Sequence, residues 1–172
     1  PLFRSSAASD VYKRQLLGAD IIKVEPPGGE QTRFGGAIEE LNEQGLGLSF
    51  CAQNANKDCV EIDLKTEDGV EALLTLADEV DVFVQNYRPG VIERLGLGEK
   101  VIRARNPEII YCSISAYGGD GPIGHRPAYD HVVQAMSGIM STTGTEEMGP
   151  TKVGAPYICL LYTSPSPRDW LQ

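Results

Sequence analysis

The side chains with the greatest chemical potential are polar and basic groups that follow short apolar stretches of the sequence. They are Asn86, Tyr87, Arg88, Arg94, Asp120, Arg126, Tyr129 and Asp130, with Glu25 and Lys65 after two further apolar stretches. Arginine and lysine bind phosphate and carboxylate groups through charge and hydrogen bonds. This set therefore predicts a site for a phosphorylated or carboxylated small molecule.

Each of these residues also has a simple structural explanation. Glu25 can form a surface ion pair with Arg33, and such pairs contribute little to stability. Asp130 can cap a helix that begins near His131, and Arg94 can be a solvated helix residue. The spacing alone therefore assigns no role to any single residue.

Several catalytic and metal-binding patterns are absent from the sequence. It contains no GxSxG elbow, no Ser-His-Asp set and no GxGxxG fingerprint after a first strand, which disfavours a nicotinamide oxidoreductase. The cysteines, Cys51, Cys59, Cys112 and Cys159, follow no CxxC spacing. Because only two histidines accompany them, we predict no metal site, and we expect reduced thiols with Cys112 buried in a strand.

The hydrophobic pattern alternates between strands and helices. Predicted strands lie at 19–25, 58–64, 81–85 and 108–115. Predicted helices lie after Thr66, at 91–97, at 99–106 and at 129–144. Thr66 can cap the first of these helices, whose apolar stripe is Val70, Leu73, Leu74 and Ala77.

This order predicts an α/β fold, a parallel sheet with helices packed on its faces. In such a sheet, ligands bind beyond the carboxyl ends of the strands. The segments NYRPG (86–90) and AYGGDGPIGHRP (116–127) both follow predicted strands. We therefore expect them to border the ligand.

Length and charge limit the class of protein. The chain of 172 residues is long enough for one domain with its own core, and 41% of its residues are hydrophobic. Its net charge of -9 would repel a phosphate backbone, so we expect no nucleic-acid partner. No apolar run reaches the ~20 residues that span a bilayer, and no signal peptide is recognisable. We therefore expect a cytoplasmic protein without a membrane partner.

Five stretches together resemble one known family. They are LLGADIIKVEPPGGEQTR, NANKDCVEIDLKTEDG, DVFVQNYRPGVIERLGL, NPEIIYCSISAYGGDGP and RPAYDHVVQAMSGIM. In order and separation they closely resemble the family III CoA-transferases, the CaiB/BaiF family. The resemblance covers nearly all of residues 16–158.

The resemblance implies an enzyme that moves coenzyme A from an acyl-CoA to a carboxylic acid. It implies a large domain with a Rossmann-like sheet, no tightly bound cofactor, and an interlocked homodimer. Members carry a catalytic aspartate at the end of a VGAPxxD stretch. Here that stretch reads VGAPYIC, so Cys159 occupies the position of the aspartate.

Both ends of the chain differ in character from its body. Residues 1–15 and 159–172 show neither helical nor strand periodicity, and we predict that they are translated sequencing-adapter read-through. Residues 16–158 are then part of a CoA-transferase large domain. Cys159 is the first residue of the spurious tail, and the chain as given is expected to be inactive, because a thiol cannot replace the carboxylate.

The resemblance also implies which residues contact coenzyme A. The residues concerned are Ile62, Lys65, Asn86, Tyr87, Arg94 and Arg126. Ile62 and Lys65 correspond to positions at the nucleotide end, and Asn86 and Tyr87 to positions along the pantetheine–diphosphate path. Arg94 corresponds to a further contact, and Arg126 is adjacent to a basic position near the phosphates. Pro26 replaces a basic residue of some members.

Two alternatives remain open at this point. An α-methylacyl-CoA racemase resembles the transferases but carries a GHD motif, where this chain has Ala128, Tyr129 and Asp130. A tyrosine with a pKa of ~10 is poorly matched to acid–base work at neutral pH, which favours the transferase. The second alternative is a non-catalytic fragment that binds coenzyme A.

Overall fold

The computed structural model describes residues 18–126 and 129–154. Its strands are β1 (Ile22–Glu25), β2 (Asp58–Glu61), β3 (Val82–Gln85) and β4 (Ile110–Ser113). Its α-helices are α1 (Glu39–Glu43), α2 (Leu48–Asn54), α3 (Glu67–Glu79), α4 (Val91–Arg94), α5 (Glu99–Arg105) and α6 (Asp130–Met136). Two 3₁₀ helices span Gln31–Phe34 and Ile139–Thr142.

The strands form two parallel pairs. Strand β1 pairs with β2, so that Glu25 lies opposite Glu61, and β3 pairs with β4, so that Gln85 lies opposite Ser113. Each connection within a pair contains helices, as a parallel arrangement requires. Among the described residues, no strand pairing joins the two pairs. The predicted α/β class with parallel strands is confirmed.

Helix α3 connects the two pairs. Its predicted N-cap is confirmed, because Thr66 Oγ1 accepts a hydrogen bond from the backbone N–H of Gly69 at 3.1 Å. Glu67 and Asp68 lie in the first turn, where their charges favour the positive end of the helix dipole. The predicted stripe is also confirmed, with Leu73, Leu74 and Ala77 buried.

One hydrophobic core supports both strand pairs. Its buried members are Ile62, Leu73, Leu74, Ala77, Ile92, Leu97, Ile102 and Ile109. Val24 and Val60 of the first pair pack against it, as do Phe83 and Tyr111 of the second, whose rings stack at 5.3 Å. Each fully buried leucine or isoleucine stabilises the fold by about 1.5–3 kcal/mol. This shared core fixes the carboxyl ends of both pairs in one domain.

The structure corrects several predictions. The three helical segments between β1 and β2 were not predicted, because pieces of 4–7 residues have too few turns for a clear periodicity. The single helix predicted at 129–144 is wrong: Gly138, with φ of 82°, separates α6 from the last 3₁₀ helix. Asp130 is the first residue of α6 and Tyr129 is its N-cap residue. Cys112 lies in β4 but is only half-buried.

No helix in the ranges 18–126 and 129–154 is long and apolar enough to cross a bilayer.

Candidate functional site

Two side-chain amides fix the loop after β3 to the end of β4. Gln85 is 7% exposed, and its Nε2 donates to Ser113 Oγ at 2.6 Å. Its Oε1 accepts from the backbone N–H of Tyr87 at 2.7 Å. Asn86 Nδ2 donates to the carbonyl oxygen of Ile114 at 2.7 Å. Neutral hydrogen bonds therefore hold the start of the segment that the sequence places beside the ligand.

Arg94 of α4 folds back over the turn that precedes its helix. Gly90, the N-cap residue, has φ of 80°, a left-handed conformation that favours glycine. A Cβ atom at this position would lie 3.4 Å from Arg94 Nη1, so the guanidinium lies against the turn. Three of the predicted ligand residues, Asn86, Tyr87 and Arg94, thus lie on one short segment of the fold.

Arg88 joins the first predicted ligand-binding segment, 86–90, to the start of α6. Its Nη2 donates to Tyr129 Oη at 3.4 Å, and the Tyr129 ring stacks on His131 with centroids 6.0 Å apart. The start of α6 therefore lies beside the loop after β3. Because this is one long hydrogen bond between exposed groups, it links the segments only weakly.

Charged groups fix the loop after β1. Glu25 is 2% exposed, and Arg33 donates to both of its oxygens, from Nε at 2.6 Å and from Nη2 at 2.9 Å. Lys23 Nζ lies 3.5 Å from Glu25 Oε1 and 2.8 Å from Glu30 Oε1. The ring of Phe50 lies 3.8 Å from Arg33 Cζ and 4.7 Å from Lys23 Nζ. We call these five residues the Glu25 cluster.

The predicted partners Glu25 and Arg33 do pair, but the expectation of a surface ion pair is wrong. Phe50 belongs to α2, a helix that the sequence pattern did not reveal, and it covers both cations of the cluster. Burial alone would raise the pKa of Glu25, but hydrogen bonds from Arg33 and the Glu30 N–H, with the charge of Lys23, lower the pKa to about 2. The Glu25 carboxylate is therefore ionised at neutral pH and already has internal partners.

The remaining predicted ligand residues lie on exposed loops or in the core. Ile62 follows β2, and its side chain is a member of the core. Lys65 and Arg126 are exposed, and neither they nor Arg94 form an ion pair with another residue of the described ranges. Exposed cations without an internal partner remain available to an anionic ligand.

A cavity of about 320 Å³ lies beside the Glu25 cluster. Its lining includes the carboxylates of Glu25, Glu43 and Glu61 but only one cation, Arg33. The excess of negative charge makes this cavity a poor site for phosphate groups. The described residues contain no group of three or more His, Cys, Asp or Glu that could hold a metal ion.

A buried glutamine that sequence analysis missed connects α6 to the segment before position 155. Gln134 is 0% exposed; its Nε2 donates to Asp130 Oδ2 at 2.5 Å, and its Oε1 accepts from the Val153 N–H at 2.8 Å. The available signal was an uncharged amide within the apolar pattern of VVQAM. Gln85 has the same signal within VFVQN. Cys159, the predicted catalytic position, lies outside the described residues.

Comparison with known proteins identifies relatives of the same fold. The chain is 44% identical over 139 residues to the acetyl-CoA:oxalate CoA-transferase of Acetobacter aceti. This match covers 80% of this chain and 35% of that protein. It is 44% identical over 139 residues to the succinyl-CoA:glutarate CoA-transferase of Mus musculus, covering 80% and 31%. A crystal structure of a CAIB/BAIF family protein from Brucella suis matches with a TM-score of 0.79 at 34% identity, over 91% of this chain and 42% of that one.

The chain spans about a third of the length of these curated relatives. The sequence model for "CoA-transferase family III" matches residues 16–163, which is most of the chain. The resemblance seen in the five sequence stretches is thereby confirmed, and this protein belongs to CoA-transferase family III.

Proposed function

We propose that this chain is part of an enzyme that moves coenzyme A from an acyl-CoA to a carboxylic acid, and that its described residues supply part of the coenzyme A site. Residues 16–158 form part of the large domain of that enzyme. The observation that carries the proposal is the segment 86–90, which amides fix to the end of β4 and over which Arg94 folds. Arg94 forms no ion pair with another described residue. The relatives named for CoA transfer to oxalate and glutarate support it.

The proposed ligand path follows the carboxyl ends of both strand pairs. Asn86 and Tyr87 lie along the pantetheine–diphosphate part, and Lys65 lies with Ile62 at the nucleotide end. Arg94 and Arg126 provide charge for the phosphates. Packing of Tyr87 against the core that contains Ile62 supports one continuous path.

The proposed chemistry requires a carboxylate at position 159. Such a carboxylate attacks the thioester carbonyl of the acyl-CoA, which forms a mixed anhydride and releases CoA thiolate. The thiolate attacks the enzyme carbonyl of the anhydride, which releases the donor acid and leaves an enzyme–CoA thioester. The acceptor carboxylate attacks the carbonyl of this thioester, which forms a second mixed anhydride and releases CoA thiolate again. The thiolate then attacks the acceptor carbonyl of that anhydride, which yields the new acyl-CoA and releases the enzyme carboxylate.

A cysteine cannot complete this cycle. Its thiolate can accept the acyl group, but it has no carbonyl carbon to which CoA could attach. The chain with Cys159 is therefore proposed to be inactive in transfer, while retaining its contacts to coenzyme A.

The test has two parts. Isothermal titration of the 172-residue chain with coenzyme A should show saturable binding, and a concentration of 100 Kd should add about 2.7 kcal/mol to the free energy of unfolding. No binding at millimolar coenzyme A would refute the proposed site. In the full-length protein encoded by the uninterrupted gene, aspartate at position 159 should support transfer to a dicarboxylic acid. Cysteine at the same position should not. Substantial turnover by the cysteine form would refute the mechanism.

We further propose that the parent enzyme is an interlocked homodimer of acyl-CoA metabolism in the cytoplasm. Relatives named for acetyl-CoA, succinyl-CoA, oxalate and glutarate support the part of this proposal that concerns acyl-CoA metabolism. Sedimentation equilibrium of the parent protein should give twice the mass of one chain, and a monomer would contradict the proposal.

A further inference from the structure

We propose that Gln85 is a positioning residue that fixes the backbone of Tyr87 for the pantetheine–diphosphate part of coenzyme A. The proposal rests on the proposed function, because that function places Asn86 and Tyr87 beside the ligand. Gln85 itself is 7% exposed, so it acts through the loop and not by contact with the ligand.

The amide of Gln85 uses both of its ends at once. Nε2 donates to Ser113 Oγ at 2.6 Å, across to β4, and Oε1 accepts from the Tyr87 N–H at 2.7 Å, in the loop. These bonds connect the end of β4 directly to the first residues after β3. The loop therefore cannot shift relative to the sheet without breaking one of them.

A second contact supports the same register. The amide of Asn86 donates to the carbonyl oxygen of Ile114, the residue after β4, at 2.7 Å. The backbone of Ile114 in turn donates to the carbonyl oxygen of Gln85 at 2.9 Å. Side chain and backbone thus hold the same two chain segments, and the ring of Tyr87 packs against the core.

Loss of this amide leaves two polar groups without their partner. Leucine at position 85 would fill a similar volume but would leave the Tyr87 N–H and the Ser113 hydroxyl unpaired in a partly buried site, which is costly. Glutamate can still accept from the Tyr87 N–H, and the Ser113 hydroxyl can rotate to donate to it. Gln85→Glu is therefore the conservative variant and Gln85→Leu the disruptive one.

The experiment measures two ligands on the 172-residue chain by isothermal titration calorimetry. The ligands are coenzyme A and adenosine 3′,5′-bisphosphate, which lacks the pantetheine arm. Gln85→Leu should raise the Kd for coenzyme A about tenfold, because without these bonds the loop would occupy its binding conformation in only about a tenth of the molecules. The Kd for the bisphosphate should stay within about twofold, because the proposed path places that end near Ile62 and Lys65 and not beside Tyr87. Gln85→Glu should restore most of the affinity for coenzyme A.

A second measurement tests the hydrogen bond without a ligand. Amide exchange of Tyr87, followed by NMR, should be protected in the wild type and in Gln85→Glu, and fast in Gln85→Leu. Equal losses for both ligands would indicate a merely structural role and overturn the proposal, as would unchanged affinity for coenzyme A or unchanged exchange of Tyr87. Failure of the wild type to bind coenzyme A would instead refute the proposed function, and this inference with it.

Discussion

The carboxyl ends of the two strand pairs are fixed by different chemistry. At the end of β1 and β2, the buried Glu25 carboxylate holds its loop through Arg33 and the Glu30 N–H. At the end of β3 and β4, the neutral amides of Gln85 and Asn86 hold the loop by hydrogen bonds. One core lies beneath both ends, so the difference comes from the loops and not from the scaffold.

This comparison separates structural cations from cations that remain available to a ligand. Arg33 and Lys23 are paired with carboxylates and covered by Phe50. Lys65 and Arg94 have no ion-pair partner among residues 18–126 and 129–154. Lys65 follows β2 and Arg94 follows β3, so each end keeps an exposed cation for a ligand, whatever the number of charges buried in its loop.

The largest expected effect follows from removal of the cation at the charged end. Arg33→Met leaves the buried Glu25 carboxylate without its main partner, and we expect the free energy of unfolding to fall by about 3 kcal/mol. This lies at the low end of the usual range because the Arg33 side chain is 21% exposed. Urea denaturation measures the loss.

Arg105→Met is the matched control, because Arg105 pairs with Glu71 and Asp78 at the surface. This variant should shift the denaturation midpoint only slightly. Equal effects of the two variants would contradict the comparison.

The charged end should also respond to acid. Because the folded-state pKa of Glu25 is lowered to about 2, its contribution is fully present above the unfolded pKa near ~4.3 and is lost as pH falls toward 2. We expect a loss of about 3 kcal/mol at most over this window. Between pH 5 and pH 2.5, the measured free energy of unfolding should fall less steeply in Glu25→Gln than in the wild type. Parallel slopes would show that Glu25 is not the group that titrates.

Substitution at the neutral end, that of β3 and β4, should lower the free energy of unfolding by less, and the loss should not depend on salt. Gln85→Leu should lower the free energy of unfolding by about 1–2 kcal/mol, because it leaves polar groups unpaired. These bonds are uncharged, so the loss of unfolding free energy should be the same at low salt and in 0.5 M NaCl, where the Debye length is ~4–5 Å. Denaturation at both salt concentrations tests this, and a loss that shrinks with salt would place a charge at this end.

Much of the scaffold could be predicted from the sequence because its elements have a clear pattern. The stripe of α3 and its Thr66 cap are local signals, and the parallel order follows from alternation. The segments between β1 and β2 could not be predicted, because short helices gain their stability from tertiary packing and leave little periodicity.

The candidate site was predictable only in part. The resemblance singled out Asn86, Tyr87 and Arg94, which lie on the segment after β3, and their contacts to coenzyme A remain predictions. Gln85 and Gln134 were missed, because a buried amide differs from a surface amide only in its surroundings. The burial of Glu25 depended on α2, which no sequence pattern revealed.

The smallest expected effect comes from a residue outside both ends. Thr66→Ala removes the N-cap of α3, the helix that connects the two strand pairs, and should lower the free energy of unfolding by about 1 kcal/mol. Because the cap is uncharged and distant from either loop contact in sequence, the loss should depend on neither pH nor salt. Thr66→Ser keeps the accepting oxygen and is the matched control. Urea denaturation of both variants measures the difference. A pH-dependent loss in Thr66→Ala would mean that α3 couples directly to the Glu25 cluster. The two ends would then no longer be independent.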